Sequence, residues 1–212
     1  MSLDGYVAGP DQSMEHPLGV NGESLHTWMR ELAEWRAQAG EGSDGVENVS
    51  SEVLRREDEN VGALIMGRNM FGGGPGEWKD PAWEGWWGDE PPFHLPVFVL
   101  TSYAREPLTL KGGTTFTFVT QGSEAALECA RAAAGDGDVA ICGGATTARQ
   151  FLARGDVDEL QIHLSPVILG GGVRLFDGTK LPVRFIQREV IKAPGVTHLT
   201  YAVSVCEPLA DR

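Results

Sequence analysis

The chain has 212 residues, 42% hydrophobic and 8% aromatic, enough to bury a full core and fitting one domain over residues 1–212 better than two. Its formal net charge of -13 repels phosphate backbones at long range and excludes nucleic acid as a general partner, so any phosphate it binds must meet a local cationic pocket. No apolar run of about 18 residues occurs, and Met1 to Pro10 has neither a basic n-region nor an apolar h-region, which leaves a cytoplasmic protein with no membrane partner as the expectation.

Helical and strand signals alternate along the chain, the pattern of an α/β domain with a largely parallel sheet. Leu25, Trp28, Met29, Leu32 and Trp35 recur at helical spacing and predict one amphipathic helix from Ser24 to about Ala39, ended by the glycine-rich segment Gly40 to Gly45. A charged helical turn at Ser51 to Asp58 precedes the apolar runs Ala63–Met66 and Val97–Leu100, both read as buried strands. Between them, Gly72 to Pro96 is rich in Gly, Pro and Trp and lacks periodicity; a loop of that length in a compact domain is functional or disordered. Trp78, Trp83, Trp86 and Trp87 argue against disorder.

Further along, a strand is predicted at Thr115–Thr120, a helix at Glu124–Ala134, a buried strand at Asp138–Cys142 and a helix at Thr146–Ala153. From Leu160 to Ser165 apolar and polar residues alternate, and Arg184–Lys192 with Val196–Val205, joined through Ala193-Pro194-Gly195, reads as an antiparallel pair. Exposed edges and apolar residues in that pair, Val196, Leu199, Tyr201 and Val203 among them, predict a homodimer. Cys129, Cys142 and Cys206 are odd in number and far apart, so neither a disulfide framework nor a metal site is expected; they read as buried free thiols.

Three places carry nucleotide chemistry. Asp138 to Cys142 runs into Gly143-Gly144-Ala145-Thr146-Thr147: two residues without Cβ let the backbone approach a pyrophosphate, and the helix that follows offers unpaired N–H groups. Gly-Gly at a strand-to-helix turn is common, and the spacing is neither that of a P-loop nor of G-x-G-x-x-G. Gly67 and Arg68 follow the strand ending at Met66, and Thr101, Ser102 and Arg105 follow the strand ending at Leu100. Ligands of open parallel sheets sit outside the carboxyl ends of the strands, so three such ends bearing Gly, Arg, Thr and Ser describe a phosphate site. The bland rival is that Arg68 and Arg105 pair with surface carboxylates.

Ser2-Leu3-Asp4-Gly5-Tyr6, Met66-Gly67-Arg68 with Phe71, Leu100-Thr101-Ser102, Cys142-Gly143-Gly144 with Gln150, and Pro166 to Phe176 with its Gly170-Gly171-Gly172 occur in this order. Together they resemble the dihydrofolate reductase family in its riboflavin-biosynthesis reductase branch. The resemblance implies a three-layer dihydrofolate-reductase-like α/β fold, with a mostly parallel central sheet, an antiparallel C-terminal edge and helices on both faces. It implies NADPH as cofactor, with Gly67, Arg68, Thr101 and Ser102 on the 2′-phosphate side and Gly143, Gly144, Ala145 and Thr146 on the pyrophosphate, and a homodimer. It also implies hydride transfer to a small heterocyclic, carbonyl or imine substrate; the alternative is a dimeric nucleotide-binding protein with a vestigial site. The deaminase elements H-x-E and P-C-x-x-C do not occur, so a bifunctional enzyme is not expected. Members of the family carry several strand residues before the Ser-Leu-Asp-Gly motif and this chain has one, so a first strand cut short is expected.

Hydride transfer needs a proton source. Asp4, placed at the end of the short first strand, and Glu23 and His26, near the start of the tryptophan-bearing helix, are the candidates, with Asp4 favoured because the resemblance puts its motif on the substrate side. Each has a structural rival: a turn, a helix-start charge and a half-buried surface residue respectively. Trp78 and Trp83 could stack on a planar substrate or pack an ordinary loop.

Overall fold

The computed structural model describes residues 1–42, 44–178 and 180–206. In chain order the elements are β1 (Tyr6–Ala8), a 3-10 turn at Gly22–His26, α1 (Thr27–Arg30), α2 (Ala33–Gln38), α3 (Val49–Asp58), β2 (Val61–Gly67) and α4 (Arg68–Phe71). They continue with β3 (Pro96–Leu100), β4 (Leu108–Thr109), β5 (Thr115–Val119), α5 (Ser123–Ala134), β6 (Asp138–Gly143) and α6 (Ala145–Arg154). The chain closes with β7 (Glu159–Leu164), β8 (Val173–Arg174), β9 (Val183–Ala193) and β10 (Val196–Val205). No helix among the described residues is long and apolar enough to cross a membrane.

These elements divide into two compact units. The unit formed by Gln12–Pro17 and Leu54–Ala148 holds a five-stranded sheet of order β4-β5-β3-β2-β6. Its β5, β3, β2 and β6 run parallel, and β4 joins β5 antiparallel. Ala63, Ile65, Met66, Val97, Val99 and Phe116 are fully enclosed there, which explains why these strands read as near-continuous apolar runs. Helix α5 packs on β2, β3 and β6 through Ala126, Leu127 and Ala130. Gly135, which follows it, has φ 61 and ψ -117, a positive-φ conformation that favours glycine.

The other unit comprises Met1–Asp11, Leu18–Val53 and the described residues from Arg149 onward. It holds an antiparallel sheet of order β7-β10-β9 and the small pair β1-β8. The expected antiparallel C-terminal edge is therefore a sheet of its own, with β10 paired on both sides and β9 and β7 outermost.

Three expectations are corrected. The single helix from Ser24 to Ala39 is broken at Leu32, whose ψ of 140 is extended. The cause is a tertiary backbone pairing: the Ala33 N–H donates to Val46 O at 3.0 Å and the Val46 N–H to Glu31 O at 2.8 Å, while Leu25, Trp28 and Leu32 stay buried as the periodicity required. Gly40 to Gly45 follows α2 as predicted, although Ser43 within it lies outside the described residues. The cysteines are exposed, not buried. Cys142 lies on β6, the outer strand of its sheet, Cys129 on the solvent side of α5, and Cys206 just past β10. Lastly, Asp4 precedes β1, in a turn closed by the Gly5 N–H donating to Ser2 O at 3.1 Å.

One glycine of the five-stranded unit is set by packing. Gly67 is extended (φ -82, ψ 157), but a Cβ there would overlap the hydroxyl of Thr147, which is only 5% exposed. Gly67→Ala should therefore cost about 1 to 3 kcal/mol of stability by overpacking, and Thr147→Ala in the same chain should restore most of it. Denaturant unfolding of both variants checks this; a Gly67→Ala protein as stable as the parent would contradict the packing argument.

Candidate functional site

Parallel pairing puts the three predicted strand ends side by side. Leu100 of β3 is the register partner of Gly67, and Met66 of β2 that of Gly143. Gly67 with Arg68, Thr101 with Ser102, and Gly143 with Gly144 thus leave the same end of three adjacent strands. The Gly143–Gly144 peptide bond is cis, and Gly143 has φ 113, a backbone conformation that favours glycine. A Cβ at Gly144 would meet nothing within 4 Å. Helix α6 begins at the next residue: Ala145 is buried, Thr146 exposed, and the Ala148 N–H donates to Gly144 O at 3.1 Å. The result is a bare glycine ledge at the amino end of a ten-residue helix, where an anionic group can approach the backbone.

Arg68 and Arg105 meet on one indole. Arg68 lies 3.1 Å from the Trp78 ring centroid and Arg105 4.7 Å from it. Arg68 Nε donates to Gly72 O at 2.9 Å, and its Nη2 donates to Gly73 O at 3.2 Å and Gly74 O at 2.9 Å, so it also holds the glycine turn after α4. Arg105 Nη2 donates to Pro81 O at 2.9 Å. Both guanidiniums thus bond to carbonyls, and among the described residues neither has a carboxylate ion-pair partner. Each keeps an enclosed Nη1 without a hydrogen-bond partner. Burial and the neighbouring Arg105 lower the Arg68 guanidinium to about 10, and burial lowers that of Arg105, which Asp80 and Glu84 oppose. Both remain cations at neutral pH, a local positive site on an acidic protein.

Thr101 is tied into its own turn: its N–H donates to Val119 O at 3.1 Å, and its Oγ1 accepts from the Tyr103 N–H at 3.2 Å. Ser102 beside it is exposed. Trp78 and Trp83 pack within the loop. Trp78 carries Arg68 on its ring, meets Phe71 and Phe118 edge-on at 5.9 and 5.0 Å, and donates Nε1 to Tyr103 O. Trp83 meets Trp86 at 4.8 Å and donates Nε1 to Phe71 O. Aromatic packing is what orders the long loop without regular structure.

The three proton-donor candidates belong to the other unit. Asp4 accepts from the Leu169 and Gly170 N–H groups at 3.2 and 2.7 Å, and the Ser2 hydroxyl, followed by these two N–H groups, lowers its carboxyl to about 2. It is a carboxylate at neutral pH, with no proton to give. Glu23 is exposed and pairs with Arg30 at 3.3 Å. His26 is half-buried, its Nδ1 enclosed without a partner. Sequence reasoning missed a buried polar chain nearby: His163 Nδ1 meets His198 Nδ1 at 2.8 Å, and His198 Nε2 meets Ser50 Oγ at 2.9 Å. The available signal was a histidine in the middle of each of two alternating strands; that the two are register partners was not legible.

Burial, then the positive Met1 amino group, Arg30 and His163, lower the His26 imidazole from 6.5 to about 4. Between those values the unfolded chain binds the proton and the folded one does not, so His26 should make stability fall as pH drops through this window. Melts between pH 7 and 4 should show a shallower decline for His26→Gln than for the parent. Parallel declines would show that His26 is not buried as described.

No curated protein sequence matches the chain. Among solved structures, a Shewanella sp. PV-4 protein assigned to riboflavin biosynthesis is 23% identical, with a TM-score of 0.59 over 96% of this chain and 95% of that one. The Thermotoga maritima diaminohydroxyphosphoribosylaminopyrimidine deaminase/5-amino-6-(5-phosphoribosylamino)uracil reductase is 14% identical, with a TM-score of 0.52 over 97% of this chain and 54% of that one. Acinetobacter baumannii RibD is 17% identical, with a TM-score of 0.50 over 76% of this chain and 52% of that one. These likenesses show the fold, which is the dihydrofolate-reductase-like α/β fold expected from the sequence. The family model for the RibD C-terminal domain matches residues 1–199, and on that match the chain belongs to the RibD C-terminal domain family.

Proposed function

We propose that this chain is an NADPH-dependent reductase that moves a hydride to a small heterocyclic, carbonyl or imine substrate, of the kind that the Thermotoga protein's name specifies. The observation that carries this is the alignment of three glycine- and arginine-bearing strand ends on one parallel sheet. The residues fit the cofactor: the backbone at Gly144 is open to an approaching phosphate, and the unpartnered Nη1 atoms beside Trp78 offer donors to a 2′-phosphate. When bound, NADPH supplies the hydride.

The chain's own part is to bind and orient. Gly143, Gly144, Ala145 and Thr146 receive the pyrophosphate, and Gly67, Arg68, Thr101, Ser102 and Arg105 the adenosine end. The proton that completes the reduction comes from water, because Asp4 is ionised, the His26 imidazole is neutral at pH 7 and Glu23 is engaged with Arg30 in solvent. The assembly we propose is a homodimer built on β9, an outer strand on which Ile186 and Val190 are 42% and 49% exposed.

Tryptophan-fluorescence titrations with NADPH and NADH, followed by assay with 5-amino-6-(5-phosphoribosylamino)uracil at the nicotinamide absorbance, test the proposal. Arg68→Ala and Arg105→Ala should each weaken NADPH by about 1.5 to 3 kcal/mol and leave NADH almost untouched. Since Arg68 also holds Gly72 to Gly74, melting is measured alongside. Equal losses for both cofactors would place the nucleotide elsewhere, and tight NADPH binding without turnover on any carbonyl or imine would favour the vestigial-site alternative.

A further inference from the structure

Three side chains of the unit that holds the antiparallel sheet lie in one hydrogen-bonded line: Ser50 on α3, His198 on β10 and His163 on β7. Ser50 Oγ is 2.9 Å from His198 Nε2, and His198 Nδ1 is 2.8 Å from His163 Nδ1. The two histidines are register partners, and Trp28 packs on both, 5.3 Å from the His163 ring and 5.2 Å from that of His198. A serine and two imidazoles in line are the parts of a nucleophile and its base, but Ser50 is 1% and His198 3% exposed, so no substrate reaches them. What the line does is tie α3 to the sheet.

The contact between the two Nδ1 atoms admits one proton. A neutral imidazole has one N–H and one bare nitrogen, so one ring donates and the other accepts, and an imidazolium beside a neutral ring keeps the same bond. Two imidazoliums break it, because both Nδ1 atoms then carry a hydrogen and two like charges face each other. A hydroxyl donates or accepts, so Ser50 follows either direction of the line.

The surroundings bring further positive groups. The Met1 amino group donates to His163 O at 2.6 Å, and Arg30 and His26 belong to the same neighbourhood. Glu23 is taken up by Arg30 at the surface. On the face of the sheet that carries the histidines, β7 adds Gln161, β10 adds Thr200, and β9 adds Ile191, level with His198, and Glu189, level with Thr200. Backbone ladders join β7, β10 and β9 whatever the charge on the rings. The ten-residue helix α3 is too short to hold its shape in water alone, so its start depends on docking contacts such as that of Ser50 with His198.

We propose that this line is an acid-sensitive latch: it fastens the start of α3 to β10 while the two imidazoles carry at most one charge between them, and it releases α3 when both are protonated. The released form binds one more proton than the fastened one. It is therefore favoured as pH falls below the ordinary histidine range near 6.5, by up to about tenfold per pH unit, with the two rings titrating as a pair.

Amide hydrogen exchange tests the latch, read as protection factors so that the pH dependence of the exchange chemistry cancels. From pH 7.5 to 5 the α3 amides of residues 51–55 should lose about tenfold or more of their protection, while the ladder amides of β7 and β10 keep theirs. Imidazole nitrogen NMR should show one Nδ1–H and one Nε2–H neutral ring at pH 7.5, and two charged rings only where α3 has lost protection. His163→Asn, whose amide donates or accepts at the same place and takes no charge, should abolish the pH dependence. Ser50→Ala keeps the imidazole pair without the tie, so α3 should be weakly protected at both pH values. His26→Gln should leave the fall in place, since His26 stays neutral down to about pH 4. Constant α3 protection in the parent down to pH 5, two imidazoliums beneath a fully protected α3, or an equal fall in folded His163→Asn would overturn the latch. If His163→Asn does not fold, Ser50→Ala decides: parent-like α3 protection at pH 7.5 would overturn it as well.

Discussion

The register between β3, β2 and β6 is the constraint on which the rest of the candidate site depends. Parallel strands separated by crossovers carry no local information about which loops become neighbours; only their hydrogen-bonded pairing brings Leu100 level with Gly67 and Met66 level with Gly143. A one-residue slip would separate the glycine ledge from the arginines and move the enclosed side chains of β2 away from the neighbours packed around them. The buried runs of Ala63 to Met66 and Val97 to Val99 guard against that slip, because each residue of β2 from Ala63 onward is enclosed. Core packing and site geometry are therefore the same problem in this unit.

Charge is the second constraint on the site. A protein of net charge -13 gains little from a single surface arginine, but here two guanidiniums share one indole and bond to carbonyls, so their charge is not cancelled by an ion pair among the described residues. The same contacts order the long Gly, Pro and Trp segment, with Phe71 and Phe118 edge-on to Trp78. One arrangement thus makes the loop rigid and keeps a positive site on an acidic surface.

Much of this was legible from the chain. Buried strands announced themselves as apolar runs, and the chemistry at their ends could be read because glycine, arginine and hydroxyl residues follow them directly. What could not be read depends on partners distant in sequence. The helix expected through Leu32 is broken by Val46, Cys142 is exposed because β6 is an outer strand, and Trp78 is occupied by Arg68. Asp4 is the clearest instance: its type and position fit an acid, yet the Ser2 hydroxyl and two N–H groups more than 160 residues away lower its carboxyl to about 2. The histidine chain through His163 and His198 was hidden for the same reason, since only the strand register sets those residues opposite each other.

Adenosine fragments isolate the end of the cofactor assigned to the two arginines. Calorimetric titration of the parent protein with adenosine 2′,5′-bisphosphate and with adenosine 5′-monophosphate compares two fragments that differ only in the 2′-phosphate. The bisphosphate should bind at least about tenfold more tightly, the scale of one charge-assisted contact, and added salt should narrow the gap. Equal affinities at low salt would contradict it.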